Sequence, residues 1–225
     1  MMGRTGATRA AAFAMLITLT APGVSSCSSG GDERASEEPS TDYPTVPLIR
    51  ACDSILPKEA AVEIRSSLGI DEVRVEKTEG SIEEKAREAF DEGHDSDFTL
   101  VCRFYTEIED EEVGMSVDFR RENGAPPTLH NSEPSWTFYR IGKNALLREN
   151  ENITHLDTLC LTPGSPGDSD RENTISLSLT EDMGISSKAK ASILAATAEK
   201  VASGLRCTNN VSFPSEPKIT PLPQK

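Results

Sequence analysis

Hydrophobic and polar positions alternate most regularly between Phe98 and Arg120. Phe98, Leu100, Cys102 and Phe104 interleave with Thr99, Val101, Arg103 and Tyr105, the two-residue period of a strand, with Cys102 facing inward. After an acidic turn at Glu107 to Glu112, Val113, Met115, Val117 and Phe119 oppose Ser116, Asp118 and Arg120. The two runs predict a hairpin. Further strands are expected at Ser135 to Ile141, Ala145 to Arg148, His155 to Thr162 and Thr174 to Thr180. In the last, Ile175, Leu177 and Leu179 alternate with Ser176 and Ser178.

Elsewhere the period lengthens. Pro57 suits a helix first turn, Ala60, Ile64 and Leu68 follow at four-residue spacing, and Gly69 is placed to stop the helix. A second helix is expected from Ser81 to Phe90, where Ser81 and Glu84 form a capping box. A third runs from Ser187 to Leu205, its apolar stripe made by Leu194, Ala198, Val201 and Leu205. Helix, helix, strands, helix is the order of an α+β domain: an antiparallel sheet with helices packed on one face.

The N-terminus reads as an export signal. Arg4 and Arg9 precede an apolar run from Ala10 to Leu19, broken by Thr18, Thr20 and Pro22 before it is long enough to span a bilayer. The following Val24-Ser25-Ser26-Cys27 resembles the lipobox of bacterial lipoproteins, with Val24 where Leu is usual. That resemblance implies a signal peptide over residues 1–26 and a diacylglycerol anchor on Cys27. Residues 27–47 are then a polar tether, 48–212 an extracytoplasmic domain and 213–225 a Pro-rich tail. The expected location is the outer side of the cell membrane, held by the lipid on Cys27.

Charge narrows the partners. The chain carries 23 Lys and Arg against 37 Asp and Glu, a net charge of -14, and losing Arg4 and Arg9 with the signal takes it two units lower. Nucleic acid binding depends on clustered cations, and none is present, so no nucleic acid partner is expected.

Four cysteines lie beyond Cys27: Cys52, Cys102, Cys160 and Cys207, with no C-x-x-C pair. In an exported chain this reads as two disulfides. In each half a strand cysteine is matched by one at a helix end, which favours pairing Cys52 with Cys102 and Cys160 with Cys207; the other two pairings stay open. Neither these cysteines nor His94, His130 and His155 have the spacing of a zinc site, so neither metal nor cofactor is expected.

Cys52-Asp53-Ser54-Ile55-Leu56-Pro57 opening a helix that ends at Leu68-Gly69, followed by the strand Val101-Cys102-Arg103-Phe104, resembles the actinobacterial surface lipoproteins of the DUF3558 family. The resemblance covers the first half of the domain. It implies a surface lipoprotein of α+β fold with no catalytic residue to carry over, and it does not extend to Cys160 and Cys207.

Candidate chemistry is sparse. Gly167-Asp168-Ser169 is similar to the nucleophile block of one esterase class, but every histidine precedes Ser169, and a Pro/Gly-rich turn explains the segment better. Asp91, Asp95 and Asp97 around His94 lack the glycine and closing Glu of a calcium loop. Glu107 and Glu109 to Glu112 suggest a solvated hairpin tip or a dock for a basic partner. Trp136, Phe138 and Tyr139 are expected in the core, with Trp136 and Phe138 on one strand face and Tyr139 on the other. Asn152 and Asn210 begin glycosylation sequons, relevant only in a host that glycosylates. No catalytic residue stands out. The expectation is a non-enzymatic domain that binds an unidentified extracytoplasmic ligand or protein, with a hydrolase of scattered site or an envelope assembly factor as alternatives.

Overall fold

The computed structural model describes residues 43–76, 80–91, 98–126, 135–143, 145–163, 169–214 and 216–222. Within them the chain forms β1 (Thr45–Pro47), a 3₁₀ helix (Leu48–Ser54), α1 (Lys58–Leu68), β2 (Glu72–Glu76) and α2 (Ile82–Asp91). The hairpin β3 (Thr99–Ile108) and β4 (Glu111–Asn123) follows, then β5 (Thr137–Ile141), β6 (Ala145–Glu149), β7 (Ile153–Thr162) and β8 (Arg171–Glu181). The last elements are α3 (Ser187–Leu205) and β9 (Ile219–Pro221).

All strands join one antiparallel sheet in the order β1-β2-β3-β4-β8-β7-β6-β5-β9. Phe104, Val117, Phe119, Leu177, Leu179, Leu156 and Leu147 share one face and are buried. On this face α3 packs across β7 and β8, and α1 and α2 pack beside α3. Burial of these side chains is the main drive for the layer to form. The domain is therefore α+β, with helices on one sheet face as the residue pattern implies.

Local signals explain the ends of the elements. Ser81 Oγ accepts from Glu84 N at 3.2 Å while Glu84 Oε2 accepts from Ser81 N at 2.8 Å, the reciprocal capping box before α2. Ser186 caps α3 by accepting from Ala189 N, and Gly69 closes α1 in the left-handed conformation. The two residues at the β3–β4 tip, Glu109 and Asp110, both have positive φ, the primed turn that matches strand twist.

Two bridges pin helical segments to strands. Cys52 in the 3₁₀ helix is bonded to Cys102 on β3, with Cα atoms 5.4 Å apart. Just past α3, Cys207 is bonded to Cys160 on β7, with Cα atoms 5.2 Å apart.

Three boundary or facing expectations need correction. A β-bulge between Leu100 and Cys102 inserts Val101, so Leu100 and Phe98 fall on the face opposite Cys102, and Phe98 is exposed. The segment read as tether to residue 47 already holds β1, which pairs with β2 through Thr45–Pro47. The segment read as tail from residue 213 is docked: Glu216 pairs with Lys188 at 2.8 Å, Pro217 is buried, and β9 pairs with β5. Prolines disguised both strands, yet proline is tolerated on edge strands, where its missing N–H leaves no ladder bond unmade.

Candidate functional site

The sheet face turned away from the helices carries an ordered array of polar and aromatic side chains. At its centre β8 presents small residues, Thr174, Ser176, Ser178 and Thr180, because its large residues Ile175, Leu177 and Leu179 face the core. Longer side chains on the neighbouring strands rise on either side. One cross-strand row reads Asp118, Ser178, His155, Arg148, Phe138 from β4 to β5. The adjacent row reads Arg120, Ser176, Asp157, Leu146, Arg140.

This array is partly withdrawn from water. Asp157 is 1% exposed, Ser176 is fully buried and His155 is half-buried. Asp157 Oδ1 accepts from Ser176 Oγ at 2.7 Å, while its Oδ2 lies 3.4 Å from Arg148 Nε in an ion pair that lacks hydrogen-bond geometry. Trp136 stands beside His155, ring centroids 5.4 Å apart, and the Arg148 guanidinium lies 5.7 Å from the Trp136 ring. On the β4 side Arg120 sits 4.7 Å over Phe98 and pairs with Glu122. Arginine over an aromatic face is a favourable electrostatic contact that keeps both groups fixed.

Burial sets the protonation states. Loss of water around Asp157 pushes its carboxyl above the usual range, although the Ser176 hydrogen bond and Arg148 pull the other way. Asp118 is raised for the same first reason. His155 is lowered to about 4, first by burial and then by Arg148 and Arg120. Its ring is therefore neutral near neutral pH. Four buried atoms here make no hydrogen bond: Arg120 Nε, Arg148 Nε, His155 Nδ1 and Asp157 Oδ2.

Toward the hairpin the same face opens into a groove of about 410 Å³, lined among others by Arg103, Tyr105, Ser116, Asn152, Thr180 and Asp182. Gly114 forms part of its wall. A Cβ there would lie 2.7 Å from the Phe104 carbonyl oxygen, so the close strand approach requires glycine. A second cavity of about 300 Å³ lies at the opposite end of β7, among Ile141, Lys143, Asn210 and Phe213.

Several sequence candidates fall elsewhere. Cys27, His94, Asp95, Asp97, His130, Gly167 and Asp168 lie outside the described residues. Ser169 is exposed. Cys102 and Cys160 are buried on the helix side and take no part in the array. Tyr139 packs against the core, but Trp136 and Phe138 occupy the helix-free face, correcting the expectation of core burial for those two. In the acidic tip, Glu112 contacts Arg74 at 3.4 Å. Asn152 lines the groove and Asn210 the second cavity.

Sequence reasoning missed Arg120, Arg148, His155, Asp157 and Ser176 because they come from four strands whose mutual register is not local. One signal was present: polar residues of unusual size contrast, small on β8 and long on β4, at positions the two-residue period turns away from the core.

A nucleophilic triad would need a carboxylate bonded to the imidazole and the imidazole bonded to a hydroxyl. Here Asp157 is engaged by Ser176 instead, and His155 Nδ1 makes no hydrogen bond. Among the described residues no group of three potential metal ligands converges, and no helix is long and apolar enough to cross a membrane. No family model, no curated protein and no solved structure matches the chain.

Proposed function

We propose that this chain is a lipid-anchored envelope lipoprotein whose extracytoplasmic domain binds a ligand without transforming it, on the helix-free face of its sheet. The anchor part rests on the Arg4/Arg9, apolar run and Cys27 pattern and on the two disulfides, which persist in oxidising compartments. The binding part rests on one observation: Arg120, His155 and Asp157 flank Ser176 and Ser178, Arg148 pairs with Asp157 from the next strand beside Trp136, and buried nitrogens of Arg120 and His155 make no hydrogen bond. Such atoms are costly unless something satisfies them, so their clustering on an uncovered face favours a binding role.

The test uses the full chain expressed in an exporting bacterium. Intact mass of membrane-extracted protein should carry a lipid-sized increment that disappears in Cys27→Ala; unlipidated protein in the medium would overturn the anchor. Emission from Trp136, the only tryptophan, is then followed during titration with separate pools of peptides, saccharides and anionic metabolites. No response to any pool would overturn the binding role.

A further inference from the structure

We infer that the groove at the hairpin end of the helix-free face binds a primary ammonium group, held between the Tyr105 ring and the Asp182 carboxylate. This names the ligand class for the binding role proposed above and rests on it.

The strand register lays the groove out. Gly114 and Ser116 of β4 and Thr180 of β8 form a floor of small side chains. Tyr105 and Arg103 of β3 stand opposite Gly114 and Ser116 on one side, and Asp182, just past β8, stands on the other. A Cβ at position 114 would lie 2.7 Å from the Phe104 carbonyl oxygen and 3.2 Å from Tyr105 Cβ, so the chain cannot fill this gap beside the ring with a side chain of its own. Arg103, Thr180 and Asp182 are exposed, which leaves the groove open to solvent. It adjoins the polar array, Ser116 Oγ lying 3.5 Å from Asp118 Oδ2.

Charge selects a cation. Glu76, Glu112 and Asp182 outnumber Arg74 and Arg103 around the groove, and both arginines are already engaged, Arg103 by Glu76 at 3.1 Å and Arg74 by Glu112 at 3.4 Å. The acidic turn from Glu109 to Glu111 continues this field beyond Glu112, in a chain of net charge -14. An anion would enter against the field, whereas a cation is drawn along it. Asp182 also sets the shape of the cation. Its Oδ1 accepts from Gly114 N at 2.5 Å, so its two oxygens are not both free for the parallel N–H groups of a guanidinium. A compact ammonium needs only one oxygen at a time. The Tyr105 ring, which already draws the Arg74 guanidinium to 5.8 Å, borders the groove on its Gly114 side and offers a second cation contact there. Thr180 and Asn152 line the same groove and supply oxygen acceptors for the remaining N–H donors.

The experiment titrates the full chain by calorimetry with end-capped tri-lysine, spermidine, end-capped tri-arginine, citrate and maltotriose. Tri-lysine or spermidine should bind saturably, and the tighter of the two tells whether the ammonium belongs to a peptide side chain or to a free polyamine. Asp182→Asn, whose amide oxygen still accepts from Gly114 N, and Glu112→Gln should each weaken that binding at least fivefold, with melting checked to show that both fold. Glu59→Gln, which removes the same charge from exposed α1 on the other side of the sheet, should leave it unchanged. An equal loss in Glu59→Gln would show attraction to net charge alone and overturn the site. Tri-arginine binding as tightly as tri-lysine, or binding of citrate or maltotriose alone, would overturn the ammonium assignment and leave the binding role standing. Silence toward every probe would remove both.

Discussion

Gly204 of α3 rests directly against Glu83 of α2, backbone on backbone. A Cβ at Gly204 would meet the Glu83 carbonyl oxygen, would lie 2.8 Å from Glu83 Cα and would lie 2.9 Å from the Ala86 Cβ. Two helices approach this closely only when small residues line the crossing, and neither backbone can shift without disturbing Leu205 or Ala86 in the core. Gly204→Ala therefore overpacks the contact, and its better helix propensity does not offset the clash. The expected loss is about 2 kcal/mol, seen as a melting point several degrees lower. An unchanged or raised melting temperature would show that the helices are free to separate.

Lys190 places a charge between α3 and the sheet that two carboxylates must hold. Its Nζ is 3.0 Å from Glu149 Oε1 on β6 and 2.9 Å from Glu181 Oε1 on β8. Burial works to lower the Lys190 pKa, but hydrogen bonds to Glu181 and Glu149 outweigh it and raise the value. Lys190→Met leaves two nearly buried carboxylates facing each other and should cost about 3–5 kcal/mol. Adding Glu149→Gln and Glu181→Gln should recover most of that loss in chemical denaturation. A triple variant as weak as the single one would mean that Lys190 acts through packing of its stem.

What the residue pattern revealed, and what it hid, divides by range. Both ends of α3, the capping box at Ser81 and Glu84, and the β3–β4 hairpin are set by contacts within a few residues, so they are visible in the chain itself. The α+β class followed from their order. The bulge at Val101 is hidden because an inserted residue leaves alternation intact on either side while switching its sense, so alternation alone puts Phe98 and Leu100 on the wrong face. β1 and β9 were hidden by Pro47 and Pro221. β2, with Glu72, Arg74 and Glu76 exposed or half-exposed on one face, buries too little to declare itself. The polar array was hidden most deeply, since placing Arg120 beside Asp157 requires the pairings β4 to β8 and β8 to β7, across insertions that sequence spacing does not measure.

The bridges close loops of similar size, 50 and 47 residues. In the chain-entropy view each removes about 4 kcal/mol of freedom from the unfolded chain. Cys160→Ala with Cys207→Ala should lower stability by about that amount. It should also loosen the end of α3, where Cys207 N donates to Ala202 O at 3.1 Å and Asn209 binds both Leu159 O and Leu161 N. Hydrogen exchange after reduction should speed first at residues 205–211. Exchange confined to the β3–β4 hairpin would contradict this placement of the constraint.

His155 makes stability depend on pH with a definite sign. Its folded pKa of about 4 lies below the ordinary histidine value of 6.5, chiefly through burial and then through Arg148 and Arg120, with a backbone hydrogen bond at Leu177 opposing them. Between those two values the unfolded chain binds a proton that the folded chain refuses, so stability rises with pH across the interval. The contribution is complete above 6.5 and is lost as pH falls toward 4. Allowing for solvent screening at a half-buried ring, it amounts to about 2 kcal/mol. Asp157 and Asp118, raised by burial, act in the opposite sense near the acidic end, because the folded state then holds a proton that the unfolded state releases. The cleanest window is thus the upper part of the interval. There the melting temperature of the wild type should fall with acidification more steeply than that of His155→Gln, which has no imidazole to protonate. Parallel curves for the two proteins would show that His155 is as free to protonate in the folded chain as in the unfolded one, and that the array around it is open to water.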